Sequence, residues 1–184
     1  ELALYNAALA GLSFDGTRYF RENPLAADSS HRRWDWHPCP EAATDIARTI
    51  VSIGGFFYSA SEDGLAVHLY GGGATIASVG GRAIGLTETS NYPWDGAITI
   101  KLEPEQATEF TVWLRVPAWA AGATARINGV DTDVAGNLVR GYLALRRTWH
   151  PGDTIALKLP MPVARVKATP GRKAGSIISG NLRE

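Results

Sequence analysis

The chain has 184 residues, of which 45% are hydrophobic and 20% are charged, and this composition is typical of one ordinary globular domain with an additional segment. Its 18 basic and 18 acidic residues balance, which argues against nucleic acid or an anionic membrane surface as a partner. Cys39 is the single cysteine, so an intramolecular disulfide is excluded. The first residues lack the pattern of a signal peptide, and no apolar run is long enough to cross a membrane. We therefore expect a cytoplasmic protein.

Residues 1–55 are predicted to form a helical and irregular region. Apolar residues at helical spacing predict a first helix over residues 1–12, and residues 18–40 are irregular, polar and aromatic. A second helix is predicted over residues 40–53. It begins at Pro40, because proline suits the first helical position. Gly54-Gly55 should end this helix, since glycine accepts the left-handed conformation of a C-cap.

From residue 56 onward the hydrophobic period changes to two. Clean alternation over residues 97–102 and 110–116 predicts strands with one buried and one solvated face. Turn sequences rich in glycine separate the predicted strands, which cover residues 56–59, 65–70, 75–79, 82–89, 96–102, 109–116, 123–127, 142–148, 154–158 and 163–168. Many short strands at this spacing predict an all-β fold, an antiparallel and jelly-roll-like β-sandwich over residues 56–170 with a short N-terminal helical segment. Residues 171–184 are predicted to form a C-terminal tail.

Several sequence strings resemble glycoside hydrolase family 127, a bacterial β-L-arabinofuranosidase family. The most specific of them are Trp36-His37-Pro38-Cys39-Pro40, Asn91-Tyr92-Pro93-Trp94-Asp95-Gly96 and Arg115-Val116-Pro117-Ala118-Trp119. The resemblance implies a large (α/α)₆ catalytic barrel followed by β-sandwich domains. It also implies that this chain is truncated and corresponds to the last helices of that barrel and a sandwich.

The resemblance implies a particular chemistry, in which a zinc-bound cysteine thiolate is the nucleophile. In the family a glutamate and three cysteines hold the zinc, and another glutamate is the general acid and base. Here Glu41 and Ala42 occupy the places of two adjacent cysteines, and Ala43-Thr44 replaces the family's proline pair. Because Ala42 can neither bind zinc nor attack carbon, we expect no zinc cofactor and no catalysis by the family mechanism.

Three neighbouring residues, His37, Cys39 and Glu41, are candidate catalytic residues of a repurposed hydrolase. A thiol at a helix N-terminus can act as a nucleophile, and a glutamate nucleophile requires a second carboxyl about 5 Å away. The favoured alternative is a buried thiol beside a loop histidine, because three neighbours on an extended segment rarely converge. No metal site is predicted, since His31, His37, Cys39 and Glu41 match no common zinc spacing.

A second set of residues could form a platform for a carbohydrate ligand, because aromatic faces stack on sugars while arginine and aspartate bind hydroxyl groups. Its members are Arg32, Trp34, Trp36, Tyr92, Trp94 and Asp95. The favoured alternative places these aromatic residues in a core or in a homodimer contact. Three functions therefore stay open, namely a non-catalytic carbohydrate-associated domain, a small hydrolase of the glycosidase or esterase type using Glu41 or Cys39, and a structural dimerisation module.

Overall fold

The structure is a computed structural model that describes residues 8–20, 30 and 41–163, and of residues 41–43 it describes the backbone. The chain divides into two compact units. The first comprises Glu1–Gly54 and Val163–Glu184, and the second is Gly55–Pro162. The candidate catalytic residues His37 and Cys39 lie outside the described residues.

The first unit contains helix α1, Glu41–Ser52, and a 3₁₀ turn over Leu9–Gly11. Gly11 is buried, and a Cβ atom there would collide with the side chain of Ile46, so the absence of a side chain allows the turn to approach α1. The helix predicted over residues 1–12 is represented in the described part by this 3₁₀ turn.

The predicted end of the second helix is wrong in its detail. Helix α1 is followed directly by a 3₁₀ turn over Ile53–Phe56. Gly54 and Gly55 lie inside this turn, and neither has the positive φ of a left-handed C-cap. The physical reason is that the helix tightens into i to i+3 hydrogen bonds, which need no left-handed residue.

The second unit consists of short strands. They are β1 Tyr58–Ala60, β2 Gly64–Val67, β3 Gly73–Val79, β4 Arg82–Ser90, β5 Ala97–Pro104, β6 Thr108–Arg115, β7 Thr124–Ile127, β8 Val130–Thr132, β9 Leu138–Val139, β10 Tyr142–Trp149 and β11 Thr154–Lys158. One sheet has the order β1-β2-β6-β10-β9, and the other has the order β3-β4-β5-β11-β7-β8. The pairing is antiparallel except between β2 and β6. The predicted all-β, antiparallel sandwich is therefore confirmed.

The core lies between the two sheets, and strand alternation builds it. In β5, Ile98, Ile100 and Leu102 are buried while the intervening residues are exposed. Trp149 at the end of β10 is fully buried, and its indole N–H donates to the carbonyl oxygen of Phe110 at 3.1 Å. This bond satisfies a donor that would be costly to leave unpaired.

Strands β8 and β9 are absent from the prediction. Each begins or ends at a two-residue turn in which both residues have positive φ, Asn128-Gly129 before β8 and Arg140-Gly141 after β9. The first turn has the expected residues for such a hairpin, whereas arginine is rare at positive φ and gives no sequence signal. The strand predicted over residues 163–168 is not present at Val163, and residues 164–168 lie outside the described part.

Among the described residues, no helix combines the length and the apolar character that a membrane crossing requires.

Candidate functional site

A groove of about 560 Å³ lies on the outer face of the five-stranded sheet. It is lined by Ser59, Ala60, Ser61, Gly64, Ala66, His68, Trp113, Val139, Arg140 and Tyr142. These residues belong to β1, β2, β6, β9 and β10, to the positions directly beside them, and to the turn that joins β9 to β10. The groove lies entirely within the second unit of the chain.

Strand register brings these side chains together. Leu65 and Val67 of β2 are fully buried in the core, so the alternating residues Ala66 and His68 face outward. Ala66 pairs with Ser59 on one side and with Trp113 on the other. The small residues of β2 therefore form the floor between a serine and an indole.

The indole of Trp113 covers a glycine. A Cβ atom on Gly64 would collide with the carbonyl oxygen of Thr111 and would lie 3.2 Å from Nε1 of Trp113. Glycine thus permits the close parallel pairing of β2 with β6 and leaves room for the ring. Trp113 is half-buried, and it supplies an aromatic wall to the groove.

His68 is held between two hydroxyl groups. Its Nε2 lies 2.7 Å from Oγ of Ser59, and its Nδ1 lies 2.7 Å from the hydroxyl oxygen of Tyr142. Either hydroxyl can donate or accept, so the imidazole is satisfied in both neutral tautomers. Burial lowers the pKa of His68 below its usual 6.5, which favours the neutral ring at pH 7.

Arg115 supports the side of the groove that Tyr142 and the Arg140-Gly141 turn provide. Its guanidinium carbon lies 5.5 Å from the ring centre of Tyr142, and its Nη1 donates to the carbonyl oxygens of Val116 and Gly141 at 2.9 and 2.7 Å. A Cβ atom on Gly141 would lie 2.5 Å from the same Nη1. Arg115 therefore anchors the Arg140-Gly141 turn against the end of β6.

Arg140 stands at this turn with a φ of 50°. Its side chain is exposed at the groove and makes no hydrogen bond or ion pair within the described part of the chain. No aspartate or glutamate is present among the described lining residues. The groove therefore carries one permanent positive charge with no acid beside it in the lining.

Glu88 is the one buried carboxylate among the described residues, and its oxygens already have partners. Oε1 accepts from the backbone N–H groups of Gly71 and Gly72 at 2.8 and 3.1 Å, and Oε2 accepts from the hydroxyl of Tyr58 at 3.1 Å. Burial and the charge of Glu88 raise the pKa of Tyr58. These contacts give Glu88 a structural role, since a glycosidase carboxylate works with a second carboxyl.

Most predicted site residues lie outside the described part of the chain, namely Arg32, Trp34, Trp36, His37 and Cys39. Glu41 begins helix α1, and its side chain is not described. Their roles in catalysis or in ligand binding stay predictions, as does the homodimer.

The remaining predicted residues follow β4. Trp94 is 84% exposed. Asp95 accepts from Nζ of Lys158 at 2.7 Å and from the N–H of Ala97 at 3.0 Å, and the hydrogen bond from Lys158 keeps the pKa of Asp95 below its usual value. Tyr92, by contrast, packs against the core, with its ring 6.1 Å from that of Tyr70. The loop thus presents Trp94 and Asp95 at the surface and turns Tyr92 inward, and ligand binding by the set stays a prediction.

The groove residues Ser59, His68, Trp113, Arg140 and Tyr142 are absent from the sequence prediction. Alternation in β2 and β6 could have placed His68 and Trp113 on an outer face. No local signal joins residues 68 and 142, because their contact depends on both strands pairing with β6.

The donor set required for a zinc site does not occur in the part of the chain that the structure describes, where no three histidine, cysteine, aspartate or glutamate side chains gather. At the positions matching the adjacent cysteines of the resembled family, Ala42 has no donor atom and Glu41 offers oxygen in place of sulfur. The described residues therefore do not fit a zinc ion.

Fold and groove define a class of protein, a two-sheet β-sandwich domain with an aromatic and polar groove on one outer face. The family model that matches residues 64–161 is described as "β-L-arabinofuranosidase, GH127 middle domain". The chain belongs to glycoside hydrolase family 127.

Relatives support this assignment. The non-reducing end β-L-arabinofuranosidase of Bifidobacterium longum is 35% identical over 91% of the chain. A GH127 β-L-arabinofuranosidase from Geobacillus stearothermophilus T6 has 38% sequence identity over 91% of the chain, and its crystal structure matches with a TM-score of 0.86. A GH127 β-arabinofuranosidase of known structure is 28% identical over 86%, with a TM-score of 0.77. The chain spans 27%, 28% and 27% of these three proteins.

Proposed function

We propose that this chain acts as a carbohydrate-associated β-sandwich domain that binds a sugar in the groove and does not hydrolyse it by the zinc–cysteine mechanism. The relatives are named as β-L-arabinofuranosidases, which makes a carbohydrate the natural class of ligand. Since the chain covers about a quarter of their length, at 27% and 28%, this function is proposed for the part of the family protein that the chain contains.

The observation that carries the proposal is the combination of an indole with hydrogen-bonding groups in one groove. The indole of Trp113 offers an apolar face for the C–H groups of a sugar ring. The hydroxyl groups of Ser59 and Tyr142 each use one hydrogen bond on His68 and keep further capacity to donate or accept, as sugar hydroxyls do. A volume of about 560 Å³ lies within the range of small-molecule sites, roughly 300–1,000 Å³.

Two features support a binding role without hydrolysis. The positions of the family's adjacent cysteines hold Glu41 and Ala42, which cannot supply the thiolate nucleophile. Glu88, the buried carboxylate of the described sandwich, is fully engaged by backbone and phenol donors. Neither feature provides the pair of reacting groups that glycoside cleavage requires.

Calorimetric titration of the full chain with L-arabinose and with arabinosides tests the binding. We expect saturable binding that weakens about fivefold in Ser59→Ala, because each lost hydrogen bond of this kind costs roughly 1 kcal/mol. Ser78→Ala is the matched control, since Ser78 is an exposed serine on β3 in the other sheet. Absence of binding to any saccharide at millimolar concentration would refute the proposal.

Trp94→Ala distinguishes the groove from the loop predicted from sequence. If Trp94→Ala weakens binding and Ser59→Ala does not, the sugar binds at the exposed loop after β4 and the groove assignment is wrong.

Release of arabinose from a β-L-arabinofuranoside by the full chain would contradict the absence of hydrolysis. Cys39→Ala and Glu41→Gln then test the predicted hydrolase, since unchanged turnover eliminates those residues as catalysts.

A further inference from the structure

The charge distribution of the groove indicates which class of sugar could bind there. Arg140 carries the permanent charge among the described lining residues, and its guanidinium makes no hydrogen bond or ion pair there. Some exposed arginines of the described residues have acidic partners, as Arg126 has Asp131 at 2.6 Å and Arg146 has Glu109 at 3.3 Å, and others have neutral ones, as Arg147 lies over the ring of Trp149. Arg140 thus offers unused donors to whatever occupies the groove.

The backbone at Arg140 is costly for an arginine. Its φ of 50°, followed by 81° at Gly141, matches the turn at Asn128-Gly129, where φ is 51° and 83°. Asparagine and glycine suit the first position of such a turn, while other L-residues are disfavoured in the left-handed region because Cβ approaches the following carbonyl oxygen. A strained residue that projects an unpaired charge into a groove indicates a use for the side chain.

The backbone next to Arg140 is held in place by hydrogen bonds. Arg115 donates to the carbonyl oxygen of Gly141 at 2.7 Å, and Val116 donates its N–H to the same oxygen at 2.9 Å. Tyr142, the next residue, is fixed by its hydrogen bond to His68. The guanidinium therefore extends from an anchored turn, so that binding a ligand does not require the backbone of the turn to become ordered.

We propose that the groove selects an anionic sugar, a monosaccharide unit that bears a carboxylate, with Arg140 binding the carboxylate and with the hydroxyls of Ser59 and Tyr142, which His68 holds in place, binding the ring hydroxyls. This rests on the proposed function and adds the class of sugar. The planar guanidinium donates two parallel hydrogen bonds to a carboxylate, and such charge-assisted pairs are stronger than bonds between neutral groups. Glu62 and Asp63, in the turn between β1 and β2, do not line the groove.

Pairs of sugars that differ in one group test the proposal on the full chain. Glucuronate is titrated against glucose, and galacturonate against galactose, with affinity measured by calorimetry. At least one of the two acidic sugars should bind at least tenfold more tightly than its neutral partner, and added salt should weaken this preference because it screens the charge. Acetate, a carboxylate without a sugar ring, should bind far more weakly than the acidic sugars.

Arg140→Asn removes the guanidinium and keeps a residue that favours the turn, so the fold is preserved. The preference for the acidic sugar should fall to within about twofold in this variant, and Arg146→Gln, which alters an exposed arginine of β10 outside the groove, should leave the preference unchanged. Equal affinity for each acidic and neutral pair in the parent chain would overturn the inference while leaving sugar binding intact. A preference that survives Arg140→Asn would also overturn it, whereas absence of binding to every sugar would refute the proposed function itself.

Discussion

Nδ1 of His68 lies 2.7 Å from the hydroxyl oxygen of Tyr142, which is 74 positions further along the chain. His68 follows β2 and Tyr142 begins β10, and both strands pair with β6 between them. Tyr142 is opposite Arg115 in that register, and the guanidinium of Arg115 stacks on its ring. The hydrogen bond therefore crosses the end of β6 and joins two strands that do not pair with each other.

Removal of the Tyr142 hydroxyl should weaken both the fold and the groove. In Tyr142→Phe, His68 loses the partner of Nδ1, and the free energy of unfolding should fall by about 0.5–1.5 kcal/mol. Urea denaturation measures this change. Calorimetric titration with the sugar that the parent chain binds should show weaker binding in Tyr142→Phe.

Tyr58→Phe is the matched control for this change. It also removes a hydroxyl that makes a hydrogen bond, here to Glu88, but Tyr58 packs against the core and does not line the groove. It should lower stability and leave sugar affinity unchanged. Equal loss of affinity in the two variants would show that the hydroxyl of Tyr142 has no particular role in the groove.

His68 should make the fold more sensitive to mild acid. Burial holds its pKa below 6.5 in the folded chain, whereas in the unfolded chain the pKa returns to 6.5. The unfolded state then binds more protons as the pH drops below about 6.5, so the free energy of unfolding decreases and levels off below the folded-state pKa.

Thermal unfolding between pH 7.5 and 5.5 checks this expectation in the parent and in His68→Gln. The parent Tm should fall more steeply than that of the variant below pH 6.5, and the two should run parallel above pH 7. The carboxyl of Asp95, whose pKa the hydrogen bond from Lys158 lowers, loses its contribution only as the pH falls below 3.8, beneath this window. Identical slopes through the window would contradict the assigned burial of His68.

The contact between Gly96 and Leu159 should tolerate no side chain. A Cβ atom on Gly96 would collide with the carbonyl oxygen of Leu159, whose own N–H donates to the carbonyl of Gly96 at 2.8 Å. Backbone on both sides cannot yield without breaking this pairing, so Gly96→Ala should lower the free energy of unfolding by about 1–3 kcal/mol. Gly55→Ala, where the same Cβ meets no atom within 4 Å, should change stability by no more than about 1 kcal/mol. Equal destabilisation of the two variants would reject this explanation.

Arg140→Asn should stabilise the chain even as it removes the anion-binding group. Asparagine tolerates the left-handed φ of 50° better than arginine does. The free energy of unfolding should therefore rise by up to about 1 kcal/mol. Arg140→Lys keeps an ordinary side chain at the same φ and should give no gain. A loss of stability in Arg140→Asn would show that the turn does not strain Arg140.

The β-sandwich was predictable because its signals are local. Alternation in β5 and β6 identified buried and outward residues, and Gly80-Gly81 and Asn128-Gly129 marked turns through their tolerance of positive φ, although strand β8 after the second turn was not predicted. Strand β9 escaped prediction because its turn begins with Arg140, a residue that carries no turn signal.

Sequence alone determined the family resemblance, the all-β class and the replacement of the adjacent cysteines by Glu41 and Ala42, because these depend on residue identity and on periodicity within short segments. Tertiary structure decided the groove. His68, Trp113 and Tyr142 lie on different strands, and their meeting depends on the sheet order β2-β6-β10 and on the register of each pair. Pairing energy is spread along whole strands and the buried core fixes the register, so no short segment encodes the site.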